Sequence, residues 1–176
     1  MRCYHSAFMS AHLPESVDAW RMVSARRSFA GSFPVARLAR LRSQLAGDSG
    51  DVDYQLEFGR DDLGVAYLEL QVRAVVDLLC QRTLEPFRTT LALDLRLGLI
   101  RDEADEFALP PGYEALLVQD SLRLQDVVED ELLLALPLVP MRPGSEDAIA
   151  PWQNEALEPV ATPPHPFAGL HKLKHD

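Results

Sequence analysis

Every second residue from Ala66 to Cys80 is apolar, and this run limits the possible fold more strongly than any other feature of the chain. In a helix these positions would spread around the circumference, whereas in a β-strand they share one face. The pattern therefore predicts one long strand with a buried face and a wet face. The buried set is Ala66, Leu68, Leu70, Val72, Ala74, Val76, Leu78 and Cys80, and the wet set includes Glu69, Gln71, Arg73 and Asp77.

Shorter runs with similar alternation lie on both sides of this strand. Residues 52–58 precede it across a turn, and residues 87–99 follow it in a new phase. Residues 113–118 add a further strand, and residues 28–33 form a short one near the N-terminus. Successive strands with one wet face pair antiparallel, and strands of this length must twist. We expect a twisted antiparallel β-meander of about four to five strands.

Helical spacing replaces alternation in three segments. Residues 16–27 offer Ser16 as an N-cap, and residues 34–47 open with proline and close with glycine, which predicts one helix over that whole segment. Residues 124–136 carry apolar residues at helical spacing and stop before Pro137, which disfavours helix at the residue it follows. The predicted fold class is α+β, with N-terminal helices and one acidic helix after the sheet.

The acidic helix offers a charged face. Its apolar stripe predicts that Asp126, Glu129 and Asp130 lie on the exposed side. Glu129 and Glu131 diverge by roughly 200° around the helix, so this pair does not converge on one metal ion or one reacting group. We interpret the face as solvated or as a contact for a partner.

Charge is distributed unevenly along the chain. The first 46 residues hold seven arginines and two acidic side chains, a net +5, and the rest holds ten basic and 25 acidic side chains, a net −15. An arginine-rich region can meet RNA phosphates, whereas an acidic body attracts basic proteins and repels RNA. Chance clustering on a solvated surface is the third reading. The candidate RNA contacts, expected on neighbouring surfaces, are Arg26, Arg27, Arg37, Arg40 and Arg42.

The length and composition of the chain indicate its domain organisation. The chain has 176 residues, 47% of them hydrophobic, which suits one domain with a tail. No apolar run is long enough for a membrane span, the first residues do not resemble a signal peptide, and two cysteines cannot build a disulfide framework. We expect a cytoplasmic protein that contacts no membrane. Residues 1–9 are expected to be a disordered extension, with Met9 as a candidate native start, and residues 10–140 an α+β domain.

The C-terminal part is proline-rich. Eight of the thirteen prolines lie in residues 137–166, which predicts an extended tail over residues 141–176. The chain then closes with apolar residues at helical spacing, Phe167, Leu170 and Leu173. We interpret this end as a short docking helix.

Cys80 ends the alternating run and invites several interpretations. Its phase places it in the core, where a free cysteine behaves as a small hydrophobe. Zinc needs four ligands, but the only other cysteine is Cys3, and no histidine lies between residues 13 and 164 to ligate a metal or activate a thiol. A contact for a partner at the turn around Arg82 is the remaining interpretation. The residues alone indicate no cofactor and no active site.

Three segments, in this order, resemble the YceD family of large ribosomal RNA subunit accumulation proteins. They are "LLCQRTLEPF" at 78–87, "VVEDELLLALPLVP" at 127–140 and "HPFAGLHKLK" at 165–174. Thr83 stands where many members have a second cysteine, His165 where asparagine is usual, and Arg123 where an acidic residue is common. The positions that match the family motifs are Cys80, Arg82, Leu84, Glu129, Glu131, Pro137, Pro140, Pro166 and Phe167.

The resemblance implies a non-catalytic ribosome-biogenesis factor that supports synthesis, processing or stability of large-subunit (23S) ribosomal RNA. It implies a ribosomal protein or a pre-ribosomal large-subunit particle as partner, with rRNA itself as a further candidate. Two alternatives stay open: a thiol-dependent enzyme that uses Cys80, and a module that binds a small ligand within the curved sheet.

Overall fold

The computed structural model describes residues 9–10, 13–119 and 121–145. One open sheet of six strands forms the centre, and the strands lie in chain order. They are Met9–Ser10 (β1), Ser28–Pro34 (β2), Asp51–Arg60 (β3), Ala66–Leu79 (β4), Pro86–Ile100 (β5) and Glu114–Leu117 (β6). The helices are Ala19–Ser24 (α1), Ala39–Arg42 (α2) and Leu124–Leu134 (α3), with 3-10 helices at Val35–Arg37 and Glu103–Ala108.

The four central strands confirm the predicted antiparallel meander. Strands β2, β3, β4 and β5 pair antiparallel with their chain neighbours, in a register that places Leu56 beside Leu70 and Leu70 beside Leu95. The two edges differ from the prediction, because β1 pairs with β2 in parallel and β6 pairs with β5 in parallel. A parallel neighbour needs a crossover connection. Here α1 lies between β1 and β2, and the segment with the 3-10 helix Glu103–Ala108 lies between β5 and β6.

The core lies on one face of this sheet. All eight apolar residues of the long alternating run are buried, including Cys80 just beyond β4. Helix α1 packs on β3 and β4, and α3 contacts α2 and β5. Four residues of α3 at helical spacing join the core, as the sequence predicts: Leu124, Val127, Val128 and Leu132.

The N-terminal helical segments are shorter than predicted. Asp18, not Ser16, is the N-cap of α1, and its carboxylate accepts a hydrogen bond from the Arg21 N–H at 3.0 Å. The helix predicted over residues 34–47 is a 3-10 helix followed by α2, and the two are separated by Leu38 in an extended conformation. Leu38 is fully buried, so the break lets both short helices deliver apolar residues to the core.

The chain divides into two units, Met1–Arg142 and Pro143–Asp176. All of the elements above belong to the first unit, and of the second the structure describes only residues 143–145. The disordered extension predicted at the N-terminus stays a prediction for residues 1–8, whereas Met9 pairs with Ser28. The predicted docking helix, with Pro166 and Phe167, lies outside the described residues. None of the helices described is both long and apolar enough to cross a bilayer.

Candidate functional site

Glu129 of α3 is buried, although the sequence pattern places it on the exposed side of the helix. One of its carboxylate oxygens accepts hydrogen bonds from the backbone N–H groups of Arg40, at 2.7 Å, and Leu41, at 3.1 Å. The first N–H groups of a helix have no partner within that helix. Glu129 therefore caps α2 from a distant part of the chain, and the prediction that it is exposed is wrong.

Two of the three arginines of the second N-terminal segment, Arg37 and Arg40, contact the acidic helix. The Arg40 guanidinium binds the second carboxylate oxygen of Glu129 at 3.0 Å and also pairs with Asp130. The Arg37 guanidinium donates to the Gln125 side chain at 3.2 Å, and the Gln125 amide donates back to the Arg37 carbonyl at 3.1 Å. The arginines and the acidic helix, which the sequence suggested as alternative contact surfaces, therefore contact each other.

The five candidate arginines do not form one patch. Arg26 and Arg27 precede β2, and Arg37, Arg40 and Arg42 follow it. The seven residues of β2 separate the two groups by roughly 20 Å along the strand. The expectation that they lie on neighbouring surfaces is therefore wrong, because the short strand is fully extended between them.

The remaining acidic residues of α3 serve different roles. Asp126 pairs with Arg123 one turn earlier, at 3.3 Å. Glu131 is half-buried, and burial raises the pKa of its carboxyl, with further contributions from the charges of Glu114 and Asp130. In the described residues no group of three or more His, Cys, Asp or Glu side chains could hold a metal ion.

The turn after β4 brings the first two family-like segments together. Cys80 donates its backbone N–H to Glu85 at 2.9 Å, and its carbonyl accepts from Leu84 at 2.9 Å. The Gln81 N–H then reaches the Pro140 carbonyl at 2.8 Å. Arg142 donates its N–H to the Cys80 sulfur at 3.3 Å and pairs with Glu85. The segment after α3 is thus held against the turn by contacts at Pro140 and Arg142.

Cys80 is fully buried, as predicted, and its thiol receives hydrogen bonds. The backbone N–H of Arg142 lowers its pKa to about 6, together with the hydroxyl and N–H of Thr83. A lowered pKa favours the nucleophilic thiolate, but catalysis also requires access for a substrate. The burial of the sulfur leaves none in this conformation.

Exposed apolar side chains concentrate on these same two segments. Among the described residues nine large hydrophobic side chains are exposed, and six of them belong to the turn region and to the end of α3 with the chain after it. Leu138 is wholly exposed, and Leu84 is 70% exposed with a backbone φ of 57° that leucine rarely adopts. We call this set the motif surface: Leu79, Leu84, Leu134, Leu138, Val139 and Met141.

Sequence reasoning missed most of the motif surface. Leu84 belongs to the family motif, but its exposure depends on a left-handed turn that periodicity does not reveal. Leu138 and Val139 follow Pro137, where the helical pattern has already stopped. The available signal for these exposed residues was the presence of apolar residues directly after the end of the helical pattern.

The outer face of the sheet holds a second feature. An open depression of about 430 Å³ crosses the middle of β3, β4 and β5. Within the described part of the chain, the polar side chains that line it form no hydrogen bond or ion pair with one another or with any other residue. These side chains are Asp53, Gln55, Gln71, Arg73 and Asp94.

Comparison with known proteins supports the family resemblance that the motif segments indicate. The family model described as "Large ribosomal RNA subunit accumulation protein YceD" matches residues 68–174. A protein of that description from Haemophilus influenzae is 34% identical over 170 residues, which cover 92% of this chain and 96% of the relative. No solved structure gives a significant match.

Proposed function

Because the chain belongs to the YceD family, named for accumulation of large-subunit ribosomal RNA, we propose that it supports accumulation of 23S rRNA. The observation that carries the proposal is the match over nearly the full length of both chains. A relative that shared only one segment could share a fold without sharing a role. The same proposed role supports a cytoplasmic location, where large-subunit particles assemble.

We infer that the protein acts by binding and not by catalysis. The family name describes an effect on rRNA, and the one described thiol with a lowered pKa is buried. The small-ligand alternative gains little, since the depression of about 430 Å³ across β3, β4 and β5 lies on the polar face of the sheet and not within the apolar core. A chain with Cys80→Ser, present at the wild-type level, should therefore restore 23S rRNA in cells that lack the protein. Failure at equal abundance and equal stability would support the thiol-dependent alternative.

We propose the motif surface as the contact for a protein of the large-subunit assembly pathway. Its six side chains are apolar and each is exposed, and exposed apolar side chains mark a protein contact more often than a nucleic-acid contact. Arg37 and Arg40, two of the five candidate RNA contacts, are already engaged by α3. Leu84 holds a costly backbone conformation while exposed, which points to a role outside folding.

The test is a complementation experiment with two readouts. Cells that lack the protein should show less 23S rRNA relative to 16S rRNA, and expression of this chain should restore the ratio. A pull-down before and after ribonuclease treatment then separates the kinds of partner. A large-subunit ribosomal protein that stays bound after treatment supports the proposal, whereas loss of every partner on treatment supports direct RNA binding.

A further inference from the structure

The outer face of the sheet carries an excess of carboxylates. Strands β3, β4 and β5 project six of them from this face, against three arginines. Two arginines are neutralised within the face: Arg88 pairs with Asp77 at 3.0 Å, and Arg96 pairs with Glu69 at 2.8 Å. Four carboxylates then face one remaining arginine, Arg73. The six carboxylates are Asp51, Asp53, Glu57, Glu69, Asp77 and Asp94.

The depression lies in the part of the face where carboxylates outnumber arginines. The register puts Asp53 beside Arg73, and Asp94 beside Gln71 on the next strand pair. Asp53 and Asp94 are therefore two strands and two residues apart, roughly 12 Å on a diagonal. Ala92 lies opposite Arg73 on β5, so no long side chain fills the floor there.

The ends and the middle of this face differ in packing. Near the end of β5, Leu109 covers the face, since a Cβ on Gly98 would lie 2.6 Å from its side chain. In the middle, Asp53, Gln71 and Asp94 are exposed. The open part of the face is thus polar, negative and accessible.

We propose that this face binds an extended, lysine- or arginine-rich polypeptide segment. A cationic side chain that enters the depression meets carboxylates that pair with no other described residue, so binding breaks no ion pair within the described part of the chain. The negative potential of the face repels nucleic-acid phosphates. Basic residues four apart in an extended chain are about 13 Å apart, which matches the diagonal between the two carboxylates. No residue of the motif surface lines the depression, and the proposal does not depend on the role in rRNA accumulation.

Substitution of Arg73 should change the affinity for a basic segment in the opposite direction to substitution of the carboxylates. It is the one cation among the described residues that line the depression, and its charge repels an incoming lysine beside Asp53. Removing its charge should strengthen the binding of a basic segment, while removing the charges of Asp53 and Asp94 should weaken it. A surface that bound RNA would respond to both changes in the reverse direction.

The experiment measures the affinity of the full chain for a fluorescein-labelled peptide that repeats Lys-Thr-Thr-Thr, by anisotropy at low salt. The double variant Asp53→Asn, Asp94→Asn should bind about tenfold more weakly, and Arg73→Gln about threefold more tightly. The matched control Asp48→Asn, Asp62→Asn makes the same charge change at exposed loop positions and should stay within about twofold of wild type. A peptide with glutamine in place of lysine should not bind.

Several outcomes would overturn the proposal. They are no binding by the wild type, equal effects of the two double variants, or weaker peptide binding by Arg73→Gln. Binding of a uridine oligonucleotide that is lost in Arg73→Gln would identify RNA as the ligand instead. Self-association that is lost in the Asp53 and Asp94 variant would identify a second copy of the chain. Because the readout is peptide affinity, each of these results leaves the effect on 23S rRNA to be measured separately.

Discussion

The carboxylate of Glu129 accepts the backbone N–H of Arg40 at 2.7 Å and binds the guanidinium of the same residue at 3.0 Å. One acidic residue near the C-terminal end of the domain thus closes the first turn of a helix 89 positions earlier in the chain. The acidic helix is in part a structural clamp, and only its remaining charges are available to a partner.

Removal of this clamp should destabilise the domain. Glu129→Ala leaves two N–H groups without an acceptor, so we expect a loss of about 2 kcal/mol in the free energy of unfolding. Glu129→Gln keeps one acceptor oxygen and should lose about half as much. Asp130→Asn, which touches only the exposed side of Arg40, is the control and should change little. Urea denaturation measures all three, and equal effects of the Glu129→Ala and Asp130→Asn changes would refute the capping role.

The same geometry separates two arginines that look alike in the sequence. Arg40→Glu brings a third carboxylate beside Glu129 and Asp130, and should lower the melting temperature by roughly 5 °C. Arg42→Glu changes an exposed side chain that takes part in none of the described ion pairs, and should leave the melting temperature nearly unchanged. A calorimetric scan of both variants checks this. Equal melting temperatures would show that the pairing of Arg40 with α3 is not formed.

The fold was predictable where one physical signal dominated. Alternation from Ala66 to Cys80 predicts β4, and the buried stripe of α3 follows from its helical spacing, because burial of apolar area is the largest favourable term in folding. Leu38 shows the limit of such reasoning. Its segment has good helical composition, but α2 begins only after Leu38, where Glu129 caps it, and a cap so remote in sequence is invisible to local patterns.

The candidate site was predictable only in part. Cys80 and Leu84 were identified by their resemblance to a family motif, and the burial of Cys80 follows from its phase in β4. The pairing of Arg40 with Asp130 was not predictable, since charge alone does not reveal which opposite charges meet. The position of Pro140 against Gln81 required the tertiary structure as well.

The Cys80 thiol should give stability a pH dependence. Its pKa falls from about 9.0 in a free thiol to about 6 in the folded chain, so the unfolded state binds more protons between these values. The free energy of unfolding should therefore rise as pH increases from 6 to 9, and the contribution of the Cys80 thiolate should be lost as pH falls through 6. Cys80→Ser lacks this slope. Denaturation curves of both proteins across this range test the point, and parallel curves would contradict it.

Two glycines test the path of the chain before and after β3. Both have a positive φ, +122° at Gly50 and +86° at Gly64. A Cβ at Gly50 would lie 2.2 Å from the Val75 carbonyl oxygen, whereas a Cβ at Gly64 meets nothing within 4 Å. Gly64→Ala should cost about 1 kcal/mol through φ alone, and Gly50→Ala at least about 2 kcal/mol more. Equal losses in chemical denaturation would show that Gly50 does not pack against β4.

The most direct measurement is the ratio of 23S to 16S rRNA in cells whose only copy carries Leu84→Asp and Leu138→Asp. The control carries Leu63→Asp and Phe107→Asp, which change two exposed apolar residues outside the motif surface. With protein levels matched by immunoblot, we predict that the ratio falls to that of cells without the protein in the first strain and stays at the wild-type value in the control. A wild-type ratio in both strains would contradict the assignment of partner binding to the motif surface.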